Sequence, residues 1–205
     1  MSIRPGFPES QREEVARLFW QAFAGKLGPV LGPGARARSF LVRVLDPGNA
    51  LSAIDAEGRL LGVAGIKTER GGLVGGSLRD LAAIYGWGGA LWRGPLLDLT
   101  DRPLEAGQLM MDGLFVAENA RGQGVGTALI AAVTQEARRQ GHREVRLDVI
   151  DSNARARALY ERLGFHPSGE TRMGPLALLF GFRRKIAMVR PVPPLSVSPS
   201  PVRPS

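Results

Sequence analysis

The residues whose types and spacing could do chemistry begin with a run of glycines, RGQGVG, at residues 121–126. A strand-like apolar segment precedes this run and an amphipathic helical pattern follows it, so the glycines lie at a strand-to-helix turn. The start of a helix presents unpaired N–H groups and a partial positive charge, and glycine lets the backbone approach an anion closely. Arg121 adds a formal charge beside them. The run therefore predicts an anion site, and a pyrophosphate is its natural occupant.

Three phosphate-binding motifs place a glycine loop before such a helix, and two of them do not match this sequence. A P-loop requires a lysine directly after its last glycine, whereas Gly126 is followed by Thr127. The dinucleotide fingerprint Gly-x-Gly-x-x-Gly begins well at Gly122 and Gly124, but Thr127 stands where its third glycine belongs. Asp148 stands roughly where a ribose-binding acid would be, so a dinucleotide-binding protein stays an alternative. A glycine-rich turn without a ligand is the other alternative.

The third motif is an arginine or glutamine, two residues, a glycine, one residue and a glycine or alanine. Arg121, Gly124 and Gly126 satisfy it. Residues 148–165 then read DVIDSNARARALYERLGF, a strand, an asparagine, and a helix that carries a tyrosine and ends in Leu-Gly-Phe. Separated by one helix and one strand, these two segments resemble the signatures of the GNAT superfamily of acyl-CoA-dependent N-acetyltransferases.

The resemblance implies a single N-acetyltransferase domain over residues 1–190, and it is most specific over 108–165. The implied fold is of the α+β class with three layers. Its central sheet is mixed and mostly antiparallel, with helices on both faces and a parallel, splayed pair of strands at the CoA site. Residues 77–107 are expected to form an atypical helical insertion, and residues 191–205 a disordered tail rich in proline and serine.

The elements that must position these residues follow from the apolar periodicity of the chain. Helices are predicted over residues 10–24, 35–45, 77–99, 127–140 and 153–163, and strands over 50–55, 59–67, 108–116, 143–150, 170–174 and 185–190. The two strands around helix 127–140 form a parallel pair, because a helical crossover joins them. The helix over 77–99 is expected to break at Gly86–Gly89, and residues 69–76 are expected to form a flexible loop.

The resemblance also implies which residues bind the CoA. Seven consecutive residues are expected to hold its pyrophosphate through backbone N–H groups and one arginine side chain: Arg121, Gly122, Gln123, Gly124, Val125, Gly126 and Thr127. Three residues are expected to bond its pantetheine arm as an added strand would, or simply to form a buried strand: Leu114, Phe115 and Val116. The N–H near Val116 is expected to polarise the thioester carbonyl. Asn153 either contacts the CoA arm or only caps a helix.

Direct acetyl transfer needs a proton donor for the departing thiolate and an acceptor for the amine proton. The resemblance assigns Tyr160 as general acid, since a phenol with a pKa of about 10 can protonate a thiolate whose conjugate acid lies at about 8.5–9. The alternative is a tyrosine that only packs its ring. Asp112 is the candidate base, one methylene shorter than the glutamate that many relatives carry there. Met110 and Met111 beside it predict an apolar setting, which favours a raised pKa; a solvated or ion-paired aspartate is the alternative.

Composition excludes several kinds of site and partner. The 205 residues include no cysteine and two histidines, so disulfides, thiolate metal sites and a cysteine nucleophile are excluded, and no metal is expected. The net charge is +8, which fits an anionic partner or an arginine-rich coding bias, but no nucleic-acid-binding motif is present and nucleic acid is not expected as a partner. No apolar run is long enough to span a membrane and the N-terminus lacks a signal-peptide core, so a cytoplasmic location without a membrane partner is expected.

The predicted activity is that of an acyltransferase, an acetyl-CoA-dependent N-acetyltransferase. It moves an acetyl group from acetyl-CoA, as co-substrate, directly to a primary amine of a small molecule or peptide. The alternative from another class is a non-catalytic acyl-CoA-binding sensor or regulatory module. Tyr85, Trp87 and Trp92 either wall the acceptor pocket or pack the insertion onto the core or a second subunit, and residues 77–99 would suit a homodimer contact.

Overall fold

The computed structural model describes residues 1–69, 71–98 and 104–193. Its strands are β1 (Ser2–Pro5), β2 (Ala50–Ile54), β3 (Leu60–Lys67), β4 (Gln108–Val116), β5 (Glu144–Ile150), β6 (His166–Arg172) and β7 (Arg184–Pro191). Its helices are α1 (Arg12–Leu31), α2 (Gly34–Val44), α3 (Leu78–Asp98), α4 (Val125–Arg139), α5 (Ala154–Arg162) and α6 (Ala177–Phe180).

The strands form one mixed sheet in the order β1-β2-β3-β4-β5-β7-β6. Only β4 and β5 pair in parallel, and every other neighbouring pair in this sheet is antiparallel. The predicted α+β fold with a mixed, mostly antiparallel sheet is therefore confirmed. Strand β1 was not predicted, because it has four mostly exposed residues and no apolar alternation.

The parallel strands separate after a short paired segment, as predicted. Their register runs from Gln108 opposite Glu144 to Met111 opposite Leu147. A bulge interrupts β4 beside its other neighbour, since Ile66 of β3 faces Met111 and Gly65 faces Gly113. A bulge bends and twists its strand. Beyond it β4 continues with β3 alone and β5 with β7 alone; we call the opening between residues 112–116 and 148–150 the fork.

Helices α1 and α4 cover opposite faces of the sheet beside the fork. The ring of Phe115 contacts the rings of Phe19 and Phe23 on α1, with centroids 5.6 and 6.3 Å apart. The neighbouring Leu114 points to the other face, and its Cδ2 lies 3.9 Å from the Cβ position of Gly126 in α4. Burial of each phenylalanine contributes roughly 1.5–3 kcal/mol. The strand that borders the fork is therefore held from both sides.

Helix α1 extends to Leu31, well beyond the predicted end at residue 24. Two glycines and Pro29 in its last turns predict an earlier end. Side chains of α3 stabilise this extension, because the Tyr85 hydroxyl donates to the Leu31 carbonyl at 2.5 Å and Arg93 Nε donates to the Val30 carbonyl at 2.8 Å. These contacts satisfy carbonyls that a helix end leaves unpaired.

The loop before α3 is packed over residues 71–76, which corrects the expectation of a flexible loop for this part of residues 69–76. Leu73 is only 1 % exposed. Its carbonyl accepts from the Asp46 N–H at 2.9 Å, and the Gly75 N–H donates to the Val44 carbonyl at 3.1 Å. One buried leucine and two hydrogen bonds to the end of α2 thus fix a segment whose glycine content predicts disorder.

Helix α3 breaks at Gly86, where φ is +71°, and the predicted break is confirmed. Tyr85 packs against Phe40 of α2 with ring centroids 6.3 Å apart, so this aromatic residue packs on the core. Trp87 and Leu91 are 61 % and 62 % exposed, and a homodimer contact through them stays a prediction. No helix within the described ranges is both long and apolar enough to cross a membrane.

The last strand continues past the predicted domain end at residue 190. Pro191 belongs to β7, and Val192 is 6 % exposed with its N–H donating to the Arg143 carbonyl at 2.8 Å. Residues 191 and 192 therefore belong to the folded domain rather than to the predicted tail. Residues 194–205, where most of that prediction falls, lie outside the described residues.

Candidate functional site

The glycine run forms the start of α4. Gly124 is its N-cap with φ +80°, Gly122 has φ +77°, and the helix begins at Val125, two residues earlier than predicted. The Ala128 N–H makes the first helical hydrogen bond, to the Gly124 carbonyl at 3.0 Å. Within the described residues, no acceptor receives a hydrogen bond from the backbone N–H groups of residues 125–127. These donors and the helix dipole can hold an anion.

The space above this turn suits a bulky anion. A Cβ atom built on Gly122 or Gly124 would have no described atom within 4 Å. At Gly126 the same Cβ would make ordinary contacts, 3.6 Å from Leu159 Cδ2 and 3.9 Å from Leu114 Cδ2. A pyrophosphate could therefore approach the backbone at the first two glycines, while the third lies where α4 packs against α5 and β4 and has room for a methyl group.

Arg121 connects the turn to the end of β4. Its Nε donates to the Val116 carbonyl at 3.4 Å, and its Nη1 lies 3.6 Å from Oε1 of Glu118. Both side chains of this ion pair are largely solvent-exposed, and such pairs are weak. A bound phosphate could therefore take over the guanidinium from Glu118 with little loss.

The end of β4 presents peptide groups to the fork that do not pair with β3. The Ala117 N–H donates to the Leu61 carbonyl at 2.8 Å, so these two residues form a hydrogen-bonded pair. Such pairs alternate along antiparallel strands, so the peptide groups of Phe115 also face β3, whereas those of Leu114 and Val116 face the fork. Of the three residues expected to bond a pantetheine arm, Phe115 therefore offers packing rather than hydrogen bonds.

Tyr160 lies on α5 and is 8 % exposed. Its ring packs against Phe165 with centroids 5.9 Å apart, and its hydroxyl makes no hydrogen bond to any described residue. Burial raises the pKa of Tyr160 to about 12, above the value of about 10 expected from sequence. The phenol is thus held in its protonated form, the state that a proton donor requires.

The raised pKa predicts that Tyr160→Phe makes folding less sensitive to alkali. Unfolded tyrosine ionises at about pH 10 but folded Tyr160 at about pH 12, so its contribution to stability is intact below pH 10 and declines above it. The wild type should lose about 1.4 kcal/mol relative to the variant between pH 8 and pH 11, roughly 3–6 °C in Tm. Thermal unfolding of both proteins at the two pH values measures this; an identical pH response would contradict the burial of the hydroxyl.

Asp112 occupies the bulge of β4 and is exposed, so the expected apolar setting is wrong. Met110 and Met111 are buried as predicted, but the bulge changes the direction of the next side chain. The Asp112 carboxylate accepts a hydrogen bond from the Leu73 N–H at 3.1 Å. The candidate base therefore lies at the fork but leans toward the loop before α3.

Asn153 is the N-cap of α5, and its Oδ1 accepts from the Ala156 N–H at 3.1 Å. The capping interpretation is confirmed. Its Nδ2 donates to no described residue, so the same side chain can still contact a ligand through the amide nitrogen. Capping and ligand contact are thus compatible.

A buried charged group on β5 and β7 was missed by sequence reasoning. Arg146 and Lys185 are 9 % and 4 % exposed, and Arg146 Nη1 lies 3.2 Å from Glu105 Oε1. Burial lowers the pKa of Lys26 on α1, whereas the negative charge of Asp148 raises it. Asp148 is the first β5 residue beyond the segment that pairs with β4. The alternation of apolar and charged residues in β5 is typical of a solvent-facing strand, and only the position of α1 reveals that this face is covered.

Comparison with known proteins gives concordant results. The model of the acetyltransferase (GNAT) family matches residues 12–165. The human protein N-acetyltransferase 8B is 39% identical over 75 residues, 37% of this chain and 33% of that protein. The 5-NmdU N-acetyltransferase of Pseudomonas phage PaMx11 is 42% identical over 65 residues, 32% of this chain and 44% of that protein. The matched segments thus span less than half the length of these relatives.

Solved structures share the fold at low sequence identity. An N-acetyltransferase from Staphylococcus aureus Mu50 superposes with a TM-score of 0.64 at 15% identity, covering 92% of this chain and 100% of that one. A second acetyltransferase superposes with a TM-score of 0.62 at 20% identity, covering 94% of this chain and 100% of its own. Because the family model matches more than half of the sequence and the fork, glycine turn and sheet order agree with it, the chain belongs to the acetyltransferase (GNAT) family.

Proposed function

We propose that this chain transfers an acetyl group from acetyl-CoA directly to a primary amine of a small molecule or peptide. The GNAT family uses acetyl-CoA as its co-substrate. The observation that carries the proposal is the continuity between the fork and the start of α4. Peptide groups of Leu114 and Val116 that face away from β3 line one end of this surface, and N–H groups of residues 125–127 without an acceptor among the described residues line the other. Arg121 connects the two ends through its bond to the Val116 carbonyl.

These residues fit the two parts of CoA that need recognition. The N–H groups of residues 122–127 and the Arg121 guanidinium would hold the pyrophosphate, because both are donors aimed at an open surface. The peptide groups of Leu114 would bond the pantetheine arm as a neighbouring strand would, while the Val116 N–H would face the thioester carbonyl. The amide nitrogen of Asn153 would add a contact from the other side of the fork.

The chemistry then needs three groups of this chain. The Val116 N–H stabilises negative charge on the carbonyl oxygen while the acceptor nitrogen attacks the carbonyl carbon. Tyr160 donates its proton to the sulfur as the C–S bond breaks and the N–C bond forms. Asp112 accepts the proton that the amine nitrogen loses, directly or through one water, and solvent returns a proton to Tyr160.

Calorimetric titration of the purified protein with acetyl-CoA and with CoA tests the binding half of the proposal. Ligand at about 100 times Kd should stabilise the fold by about 2.7 kcal/mol, roughly 5–11 °C in Tm. A panel of primary amines, including a peptide N-terminus, a lysine peptide and small amines, tests turnover. Binding without acetylation of any amine would favour the sensor alternative, and no binding would refute the proposal.

Asp112→Asn tests the proposed base. An asparagine Oδ1 can still accept from the Leu73 N–H, so we expect a folded protein with unchanged acetyl-CoA affinity, with kcat reduced by about 10²-fold or more. The matched control is Asp55→Asn in the β2–β3 turn, a carboxylate that likewise accepts backbone N–H groups, from Glu57 and Arg59. Equal kcat values in wild type and Asp112→Asn would remove Asp112 from the mechanism and leave acetyl transfer itself intact.

A further inference from the structure

Two glycines leave the space in which the Asp112 carboxylate lies. A Cβ atom built on Gly65 of β3 would overlap Oδ1 of Asp112. A Cβ built on Gly72, in the loop before α3, would lie 2.6 Å from Oδ2 of the same carboxylate. Real Cβ atoms essentially never approach a heavy atom so closely. The two oxygens thus occupy the positions of two missing side chains; we call this space the carboxylate slot.

At Gly72 the carboxylate is the only group among the described residues that comes closer than 3.6 Å to the Cβ position. The next nearest atoms to its Cβ position are Lys67 Cγ at 3.6 Å and Asp112 Cγ at 3.7 Å, which are ordinary contacts. Its φ is not in the left-handed region, so alanine would adopt this backbone without strain. Gly65 says less about the carboxylate, because a Cβ there would also lie 2.8 Å from Cβ and Cδ2 of Leu73. A substitution at Gly65 would therefore disturb Leu73 as well as Asp112.

The slot is fixed on both sides. The Leu73 N–H donates to Oδ2 of Asp112, and the Leu73 carbonyl accepts from the Asp46 N–H at the end of α2. The Gly75 N–H adds a bond to the Val44 carbonyl. The loop is therefore anchored to α2 and cannot retreat freely if the carboxylate is displaced, so a new methyl group must move the carboxylate instead.

We propose that Gly72 is a positioning residue that, with Gly65 and the Leu73 N–H, orients Asp112 for proton acceptance at the fork. The inference rests on the proposed function, because this orientation affects turnover only if Asp112 takes the amine proton. It also gives a reason for aspartate in place of a glutamate, since the slot receives a carboxylate at one methylene from Cα. Misplacement of a reacting group by about 1 Å can cost about 10²-fold in rate.

The test uses Gly72→Ala with Gly75→Ala as matched control. Gly75 lies in the same loop without a left-handed φ, and the nearest atom to its Cβ position is the Val44 carbonyl oxygen at an ordinary 3.6 Å. Each substitution is made in the wild type and in Asp112→Ala, which empties the slot. The four variants and their parents are compared by Tm, by acetyl-CoA affinity, and by kcat and KM for the best amine of the panel.

The proposal expects Gly72→Ala to lower kcat by about 10²-fold at unchanged acetyl-CoA affinity. Tm should fall by only about 1–6 °C, because the exposed carboxylate can move aside and loses its bond from the Leu73 N–H. In Asp112→Ala the same substitution should change neither kcat nor Tm, and Gly75→Ala should be near-neutral in both backgrounds. A loss that persists in Asp112→Ala would show that Gly72 acts on the loop rather than through the carboxylate, and would overturn the proposal. Wild-type Tm and kcat in Gly72→Ala would also overturn it.

The proposed function can fail separately from this inference. A wild type that acetylates no amine refutes the proposed function, while the Tm comparison still decides whether the slot exists, since coupling between positions 72 and 112 needs no turnover. An active Asp112→Ala with normal kcat refutes the base assignment, and the positioning role falls with it.

Discussion

Gly124→Glu is expected to lower acetyl-CoA affinity by about 100-fold or more, the largest expected change in cofactor affinity. Glutamate would project into the open space above the turn and place a carboxylate where the pyrophosphate is proposed to bind. Like charges at this position repel, and the side chain also blocks the N–H groups of residues 125–127. Calorimetric titration of the variant with acetyl-CoA measures the loss.

The control for this prediction lies at the other end of the same helix. Gly141 has φ +77°, close to the +80° of Gly124, and its Cβ position also has no described atom within 4 Å. Gly141→Glu should therefore impose a similar backbone strain, about 1–2 kcal/mol, while leaving acetyl-CoA affinity at the wild-type value. Equal loss of affinity in both variants would attribute the effect to strain in α4 and argue against the anion site.

Tyr160→Phe is expected to lower kcat by about 10²–10⁴-fold, the range typical of a lost general acid. Acetyl-CoA affinity should not change, because the proposed binding groups lie on β4 and α4. The Tm near neutral pH should not change either, since the removed hydroxyl makes no hydrogen bond to a described residue. Steady-state kinetics, acetyl-CoA titration and thermal unfolding at pH 8 test the three statements.

The only other tyrosine of the chain supplies the opposite control. The Tyr85 hydroxyl donates to the Leu31 carbonyl at the end of α1. Tyr85→Phe should therefore lower the free energy of unfolding by about 0.5–1.5 kcal/mol and leave kcat unchanged. A Tyr160→Phe protein that retains wild-type kcat would show that another group or solvent protonates the sulfur. The raised pKa of Tyr160 would then reflect the burial of its side chain and no role in catalysis.

The parts of the fold predicted from sequence are those whose signal is local. The β4–α4–β5 unit follows from two apolar strands around one amphipathic helix, and its glycine turn from the residues that a helix start requires. The N-cap of α5 was one of the two roles that the sequence offered for Asn153, and it too is local, since Asn153 bonds a backbone N–H three residues ahead. Such features depend on neighbours in the chain.

The parts that sequence reasoning missed depend on distant residues. Helix α1 continues through Pro29 because Tyr85 and Arg93, more than fifty positions away, satisfy its last carbonyls. The surroundings of Asp112 come from a bulge and from a loop 39 residues earlier, so its flanking methionines were a misleading guide. In each case, tertiary contacts override a local preference that the sequence expresses correctly.

The strand order has a consequence for how the chain acquires its fold during synthesis. Residues 184–191 pair with residues 144–150 on one side and 166–172 on the other, so β7 is inserted between two segments that the ribosome has already released. Until residue 184 emerges, the nascent sheet ends at β5, whose free edge carries apolar residues able to pair with another chain. Translation at about 5–20 residues per second leaves this edge exposed for seconds, and a pause there would favour aggregation over completion of the sheet.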